Sequence, residues 1–193
     1  MRNIVIFASG SGSNAENIVN YFANDPLNRV ISIFCNWPGA YVLERAGRLG
    51  VPVFLFNKKD LVGSRRVLDK LEELGTDLVV LAGFLWMVPG NILEAFPGRV
   101  INIHPSLLPA HGGEGMYGKW VHVDVIAEGD RESGITIHLV NERYDEGDII
   151  FQARCDVTFR DTPESLAAKI HDLEQAYFPG VIEDLLDKLG KRH

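Results

Sequence analysis

The stretch Ile4-Val5-Ile6-Phe7-Ala8-Ser9-Gly10-Ser11-Gly12-Ser13-Asn14 decides the fold. Its apolar opening reads as a strand buried on both faces, and the glycine-serine turn after it runs directly into a segment of helical period, Asn14–Phe22. A strand that passes to a helix through so short a turn begins a parallel strand-helix-strand unit. The alternation continues, with strands expected at Asn3–Ala8, Arg29–Asn36, Val51–Phe56, Asp77–Ala82 and Val100–Ile103. Between them, Asn14–Phe22, Tyr41–Leu49, Ser64–Leu74 and Pro89–Ala95 are expected helices, with Gly50 and Gly75 placed to terminate the second and third. The expected fold class is α/β, an open doubly wound sheet that is mostly parallel.

The second half departs from this pattern. Gly134–Val140 and Asp148–Thr158 are strand-like runs separated only by Asn141–Gly147, which predicts an antiparallel pair near one end of the sheet. After them Thr162 stands as a helix cap, Pro163 at the first helical position and Glu164 where an acid favours the helix dipole, so a long C-terminal helix is expected to about Leu189.

A chain of 193 residues, 46% hydrophobic, suits a single domain over 1–193. The net charge of −7, from 26 acids against 19 bases, disfavours a nucleic-acid or membrane-surface partner. The longest apolar run, Leu78–Val88, is interrupted by Gly83 and falls far short of the roughly 20 residues of a membrane span. The apolar stretch at the N-terminus is too short for a signal peptide. Cys35 and Cys155 lack the spacing of a zinc site or a redox pair and read as small strand hydrophobes in a reducing cytoplasm. Nothing in the sequence sets an oligomeric state.

Three places carry chemistry. The turn Ser9–Asn14, with free amides at the start of a helix, suits a single phosphate or carboxylate, or is merely a tight turn. It lacks the third glycine and the later acid of a dinucleotide fingerprint, and it lacks the Lys-Ser/Thr of a Walker loop. Asn102 and His104 share one side of the strand that ends in Asn102-Ile103-His104-Pro105, at the end where open α/β sheets bind ligands. Asp145, in Tyr144-Asp145-Glu146-Gly147-Asp148, adds a carboxylate able to raise an imidazole pKa or order a water, or is part of an ordinary acidic turn. An amide, an imidazole and a carboxylate without a serine elbow or a metal-ligand cluster fit acyl transfer to a nucleophile that the substrate supplies.

The runs Ile101–Pro109, Gly134-Ile135-Thr136-Ile137-His138, Asp145-Glu146-Gly147-Asp148-Ile149-Ile150, Ser9–Asn14 and Leu81-Ala82-Gly83-Phe84 resemble the folate-dependent formyltransferases. Chain length narrows the resemblance to the phosphoribosylglycinamide formyltransferase family, and it covers nearly the whole sequence. It implies a formyl group passed from 10-formyltetrahydrofolate, as co-substrate, to the amine of glycinamide ribonucleotide, with no metal. It implies Asn102, His104 and Asp145 as a catalytic trio: Asn102 and protonated His104 stabilise the oxyanion, while Asp145 favours the charged imidazole and positions a proton-carrying water. It also implies Gly12, Ser13 and Asn14 on the substrate phosphate, with Glu174 against the ribonucleotide. On the folate side it implies Arg65, Leu85, Trp86, Met87 and Val88, together with Asn141, Glu142, Arg143 and Tyr144. Without the resemblance, Trp86 and Met87 read as core and Arg65 as a solvated helix charge.

Three departures stand out. Trp86 occupies a position where many relatives carry arginine, and His171 one where some carry lysine near the phosphate. His111–Gly118 replaces a short loop that has a Pro-Gly and paired histidines; its four glycines between Gly112 and Gly118 predict a segment that closes over ligand, with Met116 or Tyr117 as apolar anchor and His122 behind it on a helix beginning near Lys119. Other readings on the same residues are a formyltetrahydrofolate hydrolase, which normally carries an added N-terminal domain, and a methionyl-tRNA formyltransferase, which would bring a C-terminal tRNA-binding domain and a basic surface. A third is a non-catalytic phosphate- or folate-binding module.

Overall fold

Along β1 (Arg2–Ala8) the side chains of Ile4, Ile6 and Ala8 enter one core cluster and those of Val5 and Phe7 another, and all five are fully buried. That division follows from the two-residue period of a strand and makes a sheet that must be covered on both faces. The computed structural model describes residues 1–190.

β1 is joined by β2 (Asn28–Cys35), β3 (Val53–Leu55), β4 (Leu78–Leu81), β5 (Val100–His104), β6 (Glu132–Leu139) and β7 (Ile149–Asp156). Their order is β3-β2-β1-β4-β5-β6-β7. The pairs from β3 to β5 are parallel, and β5–β6 and β6–β7 are antiparallel. The doubly wound sheet with its late antiparallel pair is the expected one.

On the first face lie α1 (Ser13–Tyr21), α2 (Val42–Leu49), α6 (Lys119–Glu128) and α7 (Pro163–Leu189), contributing Ile18, Ala46, Val125 and Ile182 among others. The second face is covered by α3 (Lys58–Val62), α4 (Arg66–Glu73) and α5 (Gly90–Ala95), through Leu61, Leu71 and Ile92. None of the described helices is long and apolar enough to cross a membrane.

Two local features depart from expectation. The expected helix Ser64–Leu74 is α4, but a further short helix, α3, precedes it, because Asn57 and Asp60 form a reciprocal capping box; each side chain takes the other residue's backbone N–H at 3.0 Å. Burial on both faces fails at the sheet edge, where Val53 and Leu55 of β3 are exposed because no further strand or helix covers them. Cys35 is buried as expected, whereas Cys155 on the edge strand β7 is only partly so.

α7 begins with Thr162 Oγ1 accepting from Ser165 N at 3.2 Å and Ser165 Oγ accepting from Thr162 N at 2.9 Å. Within it Pro179 has no N–H to offer the Gln175 carbonyl four residues back. That carbonyl accepts instead from the Asn17 side-chain amide at 2.9 Å, which binds α1 to the middle of α7.

Candidate active site

β1 has β2 on one side and β4 on the other, so the connections leaving its region diverge and open a crevice at the carboxyl ends of the strands. A cleft of about 740 Å³ occupies this place. Its walls are the Gly10–Asn14 turn, Leu81–Val88 after β4, Asn102–Pro105 at the end of β5, Gly113–Gly118, and part of α7.

Gly12 caps α1 with φ 76°, and a Cβ there would meet Val42 Cα at 2.9 Å and its side chain closer still, so only glycine fits between the turn and α2. The turn presents the first amides of α1 to the cleft, where helix geometry leaves them without carbonyl partners. Asn14 is fixed behind them: its Nδ2 donates to Glu174 Oε2 at 2.9 Å and its Oδ1 accepts from Gln175 Nε2 at 3.0 Å. Burial raises the Glu174 pKa, and the hydrogen bond from Asn14 offsets only part of that rise. His171 stands one turn away on α7, its Nδ1 3.7 Å from Glu174 Oε2.

At the opposite wall, Asn102 and His104 point to the same side of β5, as alternation requires, and β6 pairs Asn102 with His138. The β6–β7 turn returns Asp145 over both. Asn102 Nδ2 lies 3.2 Å from His138 Nε2 and 3.5 Å from Asp145 Oδ1, and Asp145 Oδ2 lies 3.3 Å from His104 Nδ1 while accepting from Gly113 N at 3.0 Å. His138 Nδ1 faces the Leu139 carbonyl at 2.8 Å; a carbonyl only accepts, so this nitrogen carries a proton, while Nε2 stands against the Asn102 amide with Asp145 Oδ1 3.6 Å away. By the same rule His104 Nε2 donates to the His111 carbonyl at 2.8 Å, which leaves Nδ1 as the nitrogen beside Asp145.

The loop after His104 is held by a buried hydroxyl. Thr136 Oγ1 donates to the Ser106 carbonyl at 2.7 Å and accepts from Leu108 N at 2.9 Å, and Gln152 Nε2 reaches both Thr136 Oγ1 and the Leu108 carbonyl.

Burial lowers the His104 pKa below its ordinary 6.5, and the charge of Asp145 opposes that fall, as expected of a carboxylate beside an imidazole, without fully offsetting it. For Asp145 itself burial pushes the pKa up, but the His138 ring, the His104 ring and the Gly113 N–H together bring it below the usual carboxylate value.

The cleft brings together Gly12, Ser13, Asn14, His171 and Glu174 with Asn102, His104 and Asp145, and Leu85, Trp86, Met87, Val88, Asn141, Arg143 and Tyr144 line it as well. Trp86 is half-buried and closes an aromatic cluster, its ring 6.3 Å from Phe56 and 6.2 Å from Phe84, while Met87 is exposed. Arg65 and Glu142 are not in the wall. Arg65 lies at the exposed start of α4, paired with Asp69 at 3.1 Å and Glu72 at 3.5 Å, and Glu142 points outward toward Gly90. His122 lines the cleft with a buried Nδ1 that has no hydrogen-bond partner among the described residues. The sequence reading left out His138, although the strand alternation that pairs Asn102 with His104 also signals it once the β5–β6 register is known. No group of three His, Cys, Asp or Glu side chains among the described residues is arranged to hold a metal ion.

A helix-start turn, an amide, two imidazoles and a carboxylate line one crevice at the carboxyl ends of the strands, the arrangement of an α/β enzyme site. The chain belongs to the formyl transferase family, whose sequence pattern matches residues 2–182. It is 39% identical over 183 residues to the chloroplastic phosphoribosylglycinamide formyltransferase of Arabidopsis thaliana, covering 91% of this chain and 63% of that protein. It is 35% identical to the phosphoribosylglycinamide formyltransferase of Bacillus subtilis strain 168, covering 96% of this chain and 95% of that one. Among solved structures, the phosphoribosylglycinamide formyltransferase of Bacillus halodurans matches with a TM-score of 0.86 at 35% identity, over 98% of this chain and 97% of that one. The chain thus spans less than two thirds of the length of the plant relative and nearly all of the bacterial ones.

Proposed function

We propose that the chain transfers the formyl group of 10-formyltetrahydrofolate to the amine of glycinamide ribonucleotide, a step of purine biosynthesis. The observation that carries this reading is the meeting of Asn102, His104 and Asp145 in the same cleft as the Gly12–Asn14 turn, with a formyl-transferring family as the context. Gly12, Ser13 and Asn14 receive the phosphate, with His171 beside it, and Glu174 contacts the ribonucleotide. Leu85–Val88 with Asn141, Arg143 and Tyr144 form the folate wall, and the cleft volume of about 740 Å³ is that of a site for large ligands.

The amine nitrogen attacks the formyl carbon, and the new C–N bond turns the carbonyl oxygen into an oxyanion that the Asn102 amide meets as a donor. His104, neutral at the outset, takes the proton that the attacking amine must shed on its Nδ1. The imidazolium so formed faces Asp145 Oδ2, which stabilises the charge, and adds its own positive field to the oxyanion site. As the bond to the folate nitrogen breaks, that proton goes to the leaving nitrogen, directly or through a water ordered by Asp145. The products are the formylated amide and tetrahydrofolate, and no covalent enzyme intermediate forms.

The test is incubation with both substrates while the release of deformylated folate is followed, alongside a control without ribonucleotide. Release that needs the ribonucleotide supports the proposal; equal release without it makes the chain a hydrolase, and no release in either makes it a binding module.

A further inference from the structure

Among the described residues, two that are not glycine have left-handed backbone: His111, φ 54°, and Asp145, φ 56°. Both ring nitrogens of His111 are met by carboxylates from outside its own segment. Nδ1 lies 2.6 Å from Asp124 Oδ2 on α6, and Nε2 lies 2.7 Å from Asp130 Oδ2 in the turn that follows α6. Two contacts this short, each to a group that accepts, are satisfied together when the ring carries both protons, and they leave no space for a bridging ion. Burial pulls the His111 pKa down, but the hydrogen bonds to Asp124 and Asp130 and the charges of both acids outweigh it and hold it above the ordinary value. The side chain is one-tenth exposed, and Arg131, Glu132 and Arg154 line the depression behind it.

The main-chain carbonyl of the same residue is the acceptor for His104 Nε2 at 2.8 Å. A group that only accepts selects the Nε2–H form of His104 and leaves Nδ1 free to exchange protons beside Asp145.

We propose that His111 is a positioning residue for the transfer reaction: its ring, pinned between Asp124 and Asp130, maintains the left-handed turn whose carbonyl sets the tautomer and orientation of His104. The proposal rests on the reading of His104 as the proton-transfer group. Left-handed backbone is unfavourable for a residue with a Cβ, so without the two ring anchors the turn relaxes and the acceptor for His104 is lost.

Nitrogen-15 NMR of His104 in the wild-type full chain reads its tautomer directly; the Nε2–H form is expected, and the Nδ1–H form overturns the proposal. His111→Ala removes the ring and both anchors while keeping the Cβ that disfavours the left-handed turn. It is expected to lower kcat about tenfold and to shift the His104 titration, with KM for both substrates nearly unchanged. His111→Asn tolerates the same backbone and can keep one carboxylate contact, so it recovers part of the loss. Asp124→Asn reaches the same anchor from α6 and is expected to lower kcat in the same way. Wild-type kcat together with an unshifted His104 titration in His111→Ala rejects the positioning role. Wild-type turnover in His104→Ala would instead remove the role given to His104, a separate failure that the tautomer measurement distinguishes.

Discussion

Asn14 Nδ2 donates to Glu174 Oε2 across 2.9 Å, joining the first turn of α1 to the middle of α7 at the bottom of the cleft. The same carboxylate is most of the way out of solvent, with its side chain 15% exposed, and burial raises its pKa. Glu174 orients the Asn14 amide behind the turn that starts α1, and under the proposed function it also faces the ribonucleotide. Glu174→Ala should weaken ribonucleotide binding about tenfold, the value of one charge-assisted hydrogen bond, with little change in folate affinity. Calorimetric titration of each ligand checks this, and an unchanged ribonucleotide affinity rejects the contact.

Each member of the trio has a separable signature. Asn102→Ala removes the amide donor and His104→Ala the proton carrier, and each should cost on the order of 10²–10³ in kcat with binding of both ligands retained. Asp145→Ala additionally frees Gly113 N and loses its contact with His104, so it should impair both turnover and the ordering of Gly113–Gly118. Single-turnover kinetics with separate binding measurements decides; near wild-type turnover in either of the first two variants sinks the assignment.

The pH profile follows from the depressed pKa of His104. Because the neutral ring is the acceptor, kcat should be on its plateau at pH 7 and fall as acid protonates Nδ1, with the limb below 6.5. Asp145 opposes the effect of burial on that pKa, so Asp145→Asn should move the limb to lower pH, whatever it does to the plateau. Stability linked to His104 has the same sign, present above the unfolded pKa and lost as pH falls through the folded one. His111 has the opposite sign: its pKa is raised, so its contribution is complete below the unfolded value and disappears as pH rises through the folded one. A kcat limb above 6.5, or one that Asp145→Asn moves upward, contradicts the proton-acceptor role.

The sheet was readable because burial on two faces writes itself into continuous apolar strands, and Ile4–Phe7 is the plainest case. What the sequence concealed depends on partners far along the chain. The start of α3 hangs on a capping box between Asn57 and Asp60, a local pattern that was present but lay in a polar stretch without strong period. His138 entered the site through the β5–β6 register, which no local pattern specifies. The carboxylates around His111 come from 13 and 19 residues downstream and meet it only after α6 has folded back. The His104 pKa depends on burial, a property of the assembled core, so the sequence gives the attraction of Asp145 without the larger opposing effect.

His171 stands on the rim of the cleft, with its side chain about half exposed and Glu174 as its charged neighbour. A ring N–H there adds a hydrogen-bond donor beside the phosphate turn, so loss of the ring should weaken ribonucleotide binding. His171→Ala should bind the ribonucleotide about tenfold more weakly, with folate affinity unchanged. Titrating each ligand into both proteins is the check, and an unchanged ribonucleotide affinity rejects a role at the phosphate.

The segment His111–Gly118 divides at Gly113. Its first three residues are tied to the site, through the His111 carbonyl on His104 and Gly113 N on Asp145, whereas Glu114, Gly115, Tyr117 and Gly118 are exposed along the cleft wall. Tyr117 is 48% exposed and Met116 only partly covered, so apolar surface stands ready at the mouth of the site. We expect Glu114–Gly118 to close over bound ligand with Met116 or Tyr117 as the apolar contact, since glycine-rich segments beside active sites commonly act as lids. Removing Glu114–Tyr117 while keeping His111 and Gly113 should lower kcat or speed ligand release, and leave the melting temperature within about 2 °C because no core side chain is lost. Stopped-flow release measurements and thermal melts on this deletion give the answer: unchanged kinetics with unchanged melting shows the distal half of the segment to have no part in turnover.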